Sequence, residues 1–159
     1  RPGNYLAFFS SFSYLNRVRE TLSQLAPELP LRAQQPGMSA DERTAFLNAF
    51  HEDNAGVAMA VLGGVFSEGI DLPGDRLIGA FVATLGLPPF DNWHEILRQR
   101  LEQRFGAGHA YTYLIPGLQK VAQAAGRVIR TPEDTGVIWL IDDRFLQPKI
   151  RNLLPAWWA

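Results

Sequence analysis

Gln123, Gly126, Arg127 and Arg130 sit close together in the string QAAGRVIR and bring two guanidiniums and one amide into a single row. Placed on a helix over residues 117–130 at roughly 100° per residue, the four fall within an arc of roughly 100°. Leu118, Val121, Ala122, Ala125, Val128 and Ile129 cover the other side and are expected to pack on a sheet. No acidic residue lies within residues 117–130. A planar guanidinium fork matches the geometry of a phosphate, so the row suits anion capture. Gly126 inside a helix costs about 1 kcal/mol relative to Ala; close approach of a ligand or of another backbone would compensate. A second reading fits the spacing equally: an amphipathic helix whose arginines are solvated or paired with Glu133, Asp142 or Asp143.

Two other stretches carry chemistry-bearing side chains. In GGVFSEGIDLPGDRL, residues 63–77, Gly69 permits an unusual backbone angle and Pro73–Gly74 marks a turn. Ser67, Glu68 and Asp71 are then expected to be displayed at a sheet edge, although Asp71 binding its own backbone is an equally simple role. In NYLAFFSSFSYL, Ser10, Ser11 and Ser13 stand where a strand gives way to a helix. Free N–H groups there hold a phosphate without a basic residue, and Ser11 or Ser13 also serves as a plain helix cap. His51, His94 and His109 have no metal-ligand spacing with carboxylates, and no metal site is expected. Trp157–Trp158 reads as a core anchor at the end of the domain or as a stacking surface. No G-x-x-x-x-G-K-[ST] phosphate loop and no G-x-S-x-G nucleophile elbow is present.

The elements that must position these residues alternate along the chain. Strand-length runs occur at residues 4–10, 29–35, 56–64, within 75–88 and at 136–142. Helical patterns lie between them: Leu15, Val18, Leu22 and Leu25 before Pro27, a capping box of Ser39 and Glu42, and the surface pattern DNWHEILRQRLEQRF. Such alternation predicts an α/β fold with a mainly parallel sheet covered by helices on both faces. Ligands of such sheets sit beyond the carboxyl ends of the strands, which directs attention to the segments after each strand.

Length and composition bound what the row can do. The 159 residues make about one domain, with 47% hydrophobic and 19% charged residues. A formal net charge of −1 excludes a global basic footprint for nucleic acid, so anion contacts must be local. The absence of cysteine excludes a disulfide framework, a thiolate zinc site or an iron–sulfur cluster within this chain, and fits a reducing cytosol. No apolar run is long enough to span a membrane. The start RPGNYL, without methionine, reads as a piece excised from a longer protein.

QAAGRVIR resembles motif VI of superfamily 2 helicases, Q-x-x-G-R-x-x-R. Its continuation, TPEDTGVIWLIDDRF, is similar to the matching region of the XPD and DinG branch of iron–sulfur helicases, where a strand ending in Asp-x-Arg-Phe follows. GGVFSEGIDLPGDRL resembles motif V of that branch and NYLAFFSSFSYL its motif IV; YTYLIPGLQKV and LLPAWW also echo it, so the likeness covers nearly the whole chain. The segment LPGDRL is DinG-like rather than XPD-like, which favours a bacterial DinG-type member.

The resemblance implies a RecA-like three-layer α/β/α fold, residues 1–159 being the second RecA-like domain of a longer chain. It implies ATP with Mg²⁺ shared with an absent first RecA-like domain, which would carry the phosphate loop and, where present, the iron–sulfur cluster. Arg127 and Arg130 would reach the γ-phosphate, and Gln123 would help place the nucleotide or the attacking water. Gly69, Asp71 and Gly126 would lie at the nucleotide. Ser10, Ser11, Ser67 and Glu68 would contact single-stranded DNA or couple it to hydrolysis. The implied protein is an ATP-dependent DNA helicase acting in DNA repair in the bacterial cytoplasm at the nucleoid, whose isolated domain is monomeric and inactive. A RecA-like protein-interaction scaffold with no ATPase role is the alternative.

Overall fold

The computed structural model describes the chain except residues 52, 68–71, 73, 130–134 and 159 and the side chains of Asp75 and Trp157. Glu68, Gly69, Asp71 and Arg130 therefore lie outside the described residues.

Five strands form one sheet in the order β2-β3-β1-β4-β5, and every pairing is parallel. The strands are β1 (Asn4–Phe9), β2 (Leu31–Ala33), β3 (Gly56–Val61), β4 (Gly79–Val82) and β5 (Val137–Leu140). β1 sits at the centre, and its run of apolar residues is buried at five of six positions, as a strand covered on both faces requires. The α/β architecture with a parallel sheet expected from the alternation of elements is thus the one observed.

Helix α1 (Phe12–Leu25) begins at Ser11, whose hydroxyl accepts from the Tyr14 N–H at 3.2 Å. It lays Leu15 on a small cluster with Ala7, Phe9 and Met59, on one face of the sheet. Helix α2 (Ala40–Asn48) opens with the reciprocal Ser39–Glu42 capping box read from the sequence. Helices α3 (Asn92–Phe105) and α4 (Ile115–Ala125) follow β4. On the second face, Phe46 of α2 and Leu118, Val121 and Ala124 of α4 close over Leu6, Phe8, Ala58 and Ala60 to form the main core.

Two findings depart from the sequence-based expectation for α4. It is entered through a π-helical turn, Ala110–Leu114, in which the Thr112 hydroxyl is buried without a hydrogen-bond partner among the described residues. It ends at Ala125 rather than running to residue 130. Gly126 is its C-cap, and the N–H groups of Arg127 and Val128 reach back three residues, to Ala124 O at 3.2 Å and Ala125 O at 3.0 Å. The last turn thus tightens to i→i+3 bonding. Gly126 has φ −63°, which any residue adopts, so the helix-interior penalty argued from sequence does not arise.

β5, an apolar run in the sequence, is an edge strand with an alternating half-exposed pattern. The Asp-x-Arg-Phe element after it has a structural basis. Asp142 accepts from the Arg144 backbone N–H at 3.0 Å and holds the Arg144 guanidinium through two bonds of 2.8 and 2.6 Å. That pair starts a 3-10 turn, Asp143–Leu146, which inserts Phe145 into the main core. Helix α5 (Pro148–Arg151) adds Ile150 to the same side. The Arg144 hydrogen bonds hold the Asp142 carboxyl below the usual carboxylate range, against the opposing effect of its partial burial.

Leu15, fully buried under α1, should cost about 2–5 kcal/mol when changed to Ala, whereas Leu25→Ala, at a position 77% exposed, should change stability by less than about 0.5 kcal/mol; urea denaturation of the two variants checks the orientation of α1. Because the Asp142 carboxyl is depressed, its contribution is complete above the ordinary aspartate range and is lost as pH falls through the lowered value. Asp142→Asn should therefore lower the thermal midpoint at neutral pH, by a stability difference of up to about 1 kcal/mol for a partly exposed pair. The gap from the parent should close in acid, as read by thermal melts over a pH series.

Candidate nucleotide and nucleic-acid edges

Each strand of a parallel sheet ends at the same edge, and each connection must return to the opposite edge before the next strand begins. The candidate residues divide accordingly. At the carboxyl edge, Ser10 directly follows β1 and is exposed, and Ser11 caps α1 with its backbone extended at φ −159°. The residues after β3 reach the same edge. There Gly63 adopts φ +79°, and a Cβ on it would come within 3.3 Å of Lys120 Cδ. Lys120, on α4, also lies beside Gly86, which follows β4 with φ +66°.

Ser67 behaves differently from the expectation. It is 1% exposed, not displayed, and its hydroxyl donates to the Gly64 carbonyl at 2.8 Å while its N–H bonds the same oxygen at 2.9 Å. It closes the turn after β3 from inside. The cause is Phe66 beside it, which stacks on Phe46 at a ring separation of 4.4 Å and draws the segment into the core.

Helix α4 runs from this edge to the other. Its start lies against the carboxyl ends of the strands: Gly117 abuts the Leu85 carbonyl so closely that a Cβ would sit 2.6 Å from it. Its end lies at the amino ends, where a Cβ on Gly136, just before β5, would overlap Val128 and stand 3.2 Å from the Ile78 carbonyl. At about 1.5 Å per residue, the seven positions from Lys120 to Arg127 span roughly 10 Å. Arg127 therefore belongs to the amino edge, and the expectation that the ligand-facing residues cluster beyond the carboxyl ends fails for it.

At that edge Arg127 is half-buried with its Nε enclosed, and Gln123 is exposed one turn before it. Of the acidic residues considered as partners, Asp142 is bound to Arg144 at the far end of β5, Asp143 follows it in the 3-10 turn, and Glu133 lies outside the described residues, while Arg127 is itself engaged within the chain. A Cβ on Gly126 would meet the Ala122 and Gln123 carbonyls of the preceding turn, and among the described residues no other element presses on it. Among the described residues no cluster of His, Asp or Glu is arranged to hold a metal ion.

Sequence reasoning missed Lys120, and the signal was available. A helix that connects two parallel strands must begin near the carboxyl edge, so a cation in its first half faces the segments that follow the strands. Sequence reasoning also missed the aromatic cluster where α3 meets the π turn. There the Tyr113 hydroxyl donates to Glu95 at 2.8 Å, and Glu95 also binds Arg98 at 2.9 Å. Burial, reinforced by Glu95, pushes the Tyr113 hydroxyl up to about 12.

Comparison with known proteins places this geometry. A family model described as the helicase C-terminal domain matches residues 1–159. A regulator of telomere elongation helicase 1 homolog from Culex quinquefasciatus is 30% identical over 98% of this chain and 18% of its own length. The ATP-dependent DNA helicase XPD of Sulfolobus acidocaldarius is 30% identical over 89% of this chain and 25% of its own. The chain thus spans about a fifth to a quarter of the length of such relatives. A solved XPD structure in apo form superimposes with a TM-score of 0.74 at 26% identity, covering 95% of this chain and 30% of that one. Domain 2 of the DEAD-box helicase Mss116p, at 14% identity and a TM-score of 0.58, shares the fold. The chain belongs to the helicase C-terminal domain family, in its XPD and DinG branch.

Proposed function

We propose that this chain is the second RecA-like motor domain of a longer ATP-dependent DNA helicase, and that it works with two opposite edges. The observation that carries this reading is the division of its candidate residues by α4. Lys120 stands with Gly63, Ser10 and Ser11 at the carboxyl edge, and Arg127 stands at the amino edge next to Val128, which packs against Gly136. A domain that must grip a strand and also complete a nucleotide site held by a neighbour needs both, on different surfaces.

At the amino edge, Arg127, with Arg130, Gln123 and Gly126, faces ATP and Mg²⁺ held by the first RecA-like domain. The guanidiniums stabilise the charge that builds on the transferring phosphoryl group, and Gln123 orients the nucleotide or the attacking water. The enclosed Nε of Arg127 fits this role, since a restrained fork loses less freedom on binding phosphate. Gly69 and Asp71, between β3 and β4 in the sequence, join the nucleotide side in this reading, and Glu68, next to Ser67 in the sequence, joins the coupling of DNA binding to hydrolysis.

At the carboxyl edge, single-stranded DNA phosphate meets the free N–H groups at the start of α1, the Ser10 and Ser11 hydroxyls and the Lys120 ammonium. These are few contacts, in keeping with the overall charge of −1. The LPGDRL segment favours a DinG-like bacterial protein of the nucleoid among the members of this branch. The isolated domain is inactive and monomeric in this reading, because half of the nucleotide site is elsewhere.

In the full-length protein, Arg127→Ala should reduce DNA-stimulated ATP hydrolysis by on the order of 10³ or more while the domain stays folded; near-normal turnover would overturn the assignment, and so would micromolar ATP binding to the isolated chain by calorimetry. Lys120→Ala should weaken single-stranded DNA binding and reduce the slope of log K against log salt by about 0.7, one phosphate contact on a single strand. An unchanged slope in a fluorescence-anisotropy salt titration removes Lys120 from the DNA path.

A further inference from the structure

Half of one sheet face is bare. On the side covered by α1, the strands present Ala7 and Phe9 from β1, Met59 from β3, Phe81 and Ala83 from and just after β4, and Val137, Trp139 and Ile141 along β5. α1 closes only over the β1, β3 and β2 part. Over β4 and β5, Phe81 and Trp139 stack on each other at 4.5 Å and 11°, with the Tyr5 ring 5.9 Å from Trp139. Trp139 remains 40% exposed, Val137 48% and Ile141 54%. No charged residue lies among them. An all-parallel sheet is stable with both faces covered, so this surface has the character of an interior.

The handedness of the connections says why no described element covers it. Crossovers between parallel strands are right-handed. With the order β2-β3-β1-β4-β5, the only leftward crossover is β1 to β2, and its helix α1 lies on this face. Every other connection moves rightward and lies on the opposite face, as Phe46, Phe66, Leu118 and Val121 do. The residues after β5 also go there, through Phe145, Ile150 and Leu154. An element on the bare half must therefore lead into β1 from the right.

Arg1 marks that route. It lines a cleft of about 430 Å³ with Tyr5, Ile78, Gly136, Val137 and Trp139, and its carbonyl accepts from the Tyr5 hydroxyl at 2.7 Å. We propose that the bare half-face is the seat of the segment preceding Arg1 in the longer protein. That segment is folded there as a helix antiparallel to the strands, with an apolar stripe over Phe81, Trp139, Val137 and Ile141. This rests on the reading of the chain as one domain of a longer helicase, and it fits relatives about four to six times as long as the stretch they share with it. A helix of about 10–14 residues, at 1.5 Å each, matches the length of the strands it would cover.

Hydrogen–deuterium exchange on the full-length protein tests the proposal. The roughly twenty residues before Arg1 should be protected, and Trp139→Asp should speed their exchange by about tenfold or more while leaving α1 unchanged. Ile141→Asp, just beyond β5 and more exposed, should act in the same direction more weakly, and it serves if Trp139→Asp fails to fold. Exchange of the preceding residues at the rate of an unstructured peptide would overturn the proposal, as would protection that both variants leave intact. Protection of residues 137–141 that grows with protein concentration would overturn it in favour of a second copy on this face. DNA-stimulated ATP hydrolysis, measured on the same unmodified protein, separates the two ideas: its absence defeats the helicase reading, whereas normal hydrolysis with an unprotected segment defeats the docking alone.

Discussion

The structure depends on one constraint: in a parallel sheet every strand points the same way, so every connection has to travel the full height of the domain. That fixes an edge for each residue before any side chain is considered. Residues directly after a strand are at the carboxyl edge, and residues directly before one are at the amino edge. Because α4 makes such a journey, it carries Lys120 and Arg127 to opposite edges, although seven positions separate them and both are cationic. The same constraint, joined to right-handed crossing, puts α1 on one face and α2 and α4 on the other, and among the described residues it leaves the Phe81–Trp139 surface partly exposed.

The core is arranged so that this division is rigid. β1 is central and buried along nearly its whole length, and it is flanked by β3 and β4 in register over their shared span. Small residues allow the helix to sit close to the strand ends: Gly117 lies against the Leu85 carbonyl, and Gly136 against Val128. A methyl group at either place would push α4 off the sheet and displace both edges together.

The strands, the first three helices and their caps were legible in the sequence because each rests on local chemistry. Ser11 and Ser39 supply oxygen to open N–H groups three residues on, and the apolar runs of β1 and β3 need no partner to be recognised. The end of α4 was not legible: Val128 and Ile129 continue the helical pattern, yet the chain tightens after Ala125 because Val128 is wedged against Gly136 at the head of β5. The burial of Ser67 escaped for a similar reason, since it follows from Phe66 stacking on Phe46, far away in the chain. The exposure of β5 escaped too, because an apolar run reads alike whether its cover is present or missing.

By itself the sequence determined the α/β class, the parallel sheet, the candidate residues and, through the strings QAAGRVIR and GGVFSEGIDLPGDRL, the helicase C-terminal family to which the chain belongs. These depend on residue types and near-neighbour spacing, which a linear string contains in full. Only the tertiary structure decided which residues share an edge, which serine is buried and which half of a sheet face is bare. Those are consequences of strand order and crossover side, and they arise when segments distant in the chain become neighbours in space.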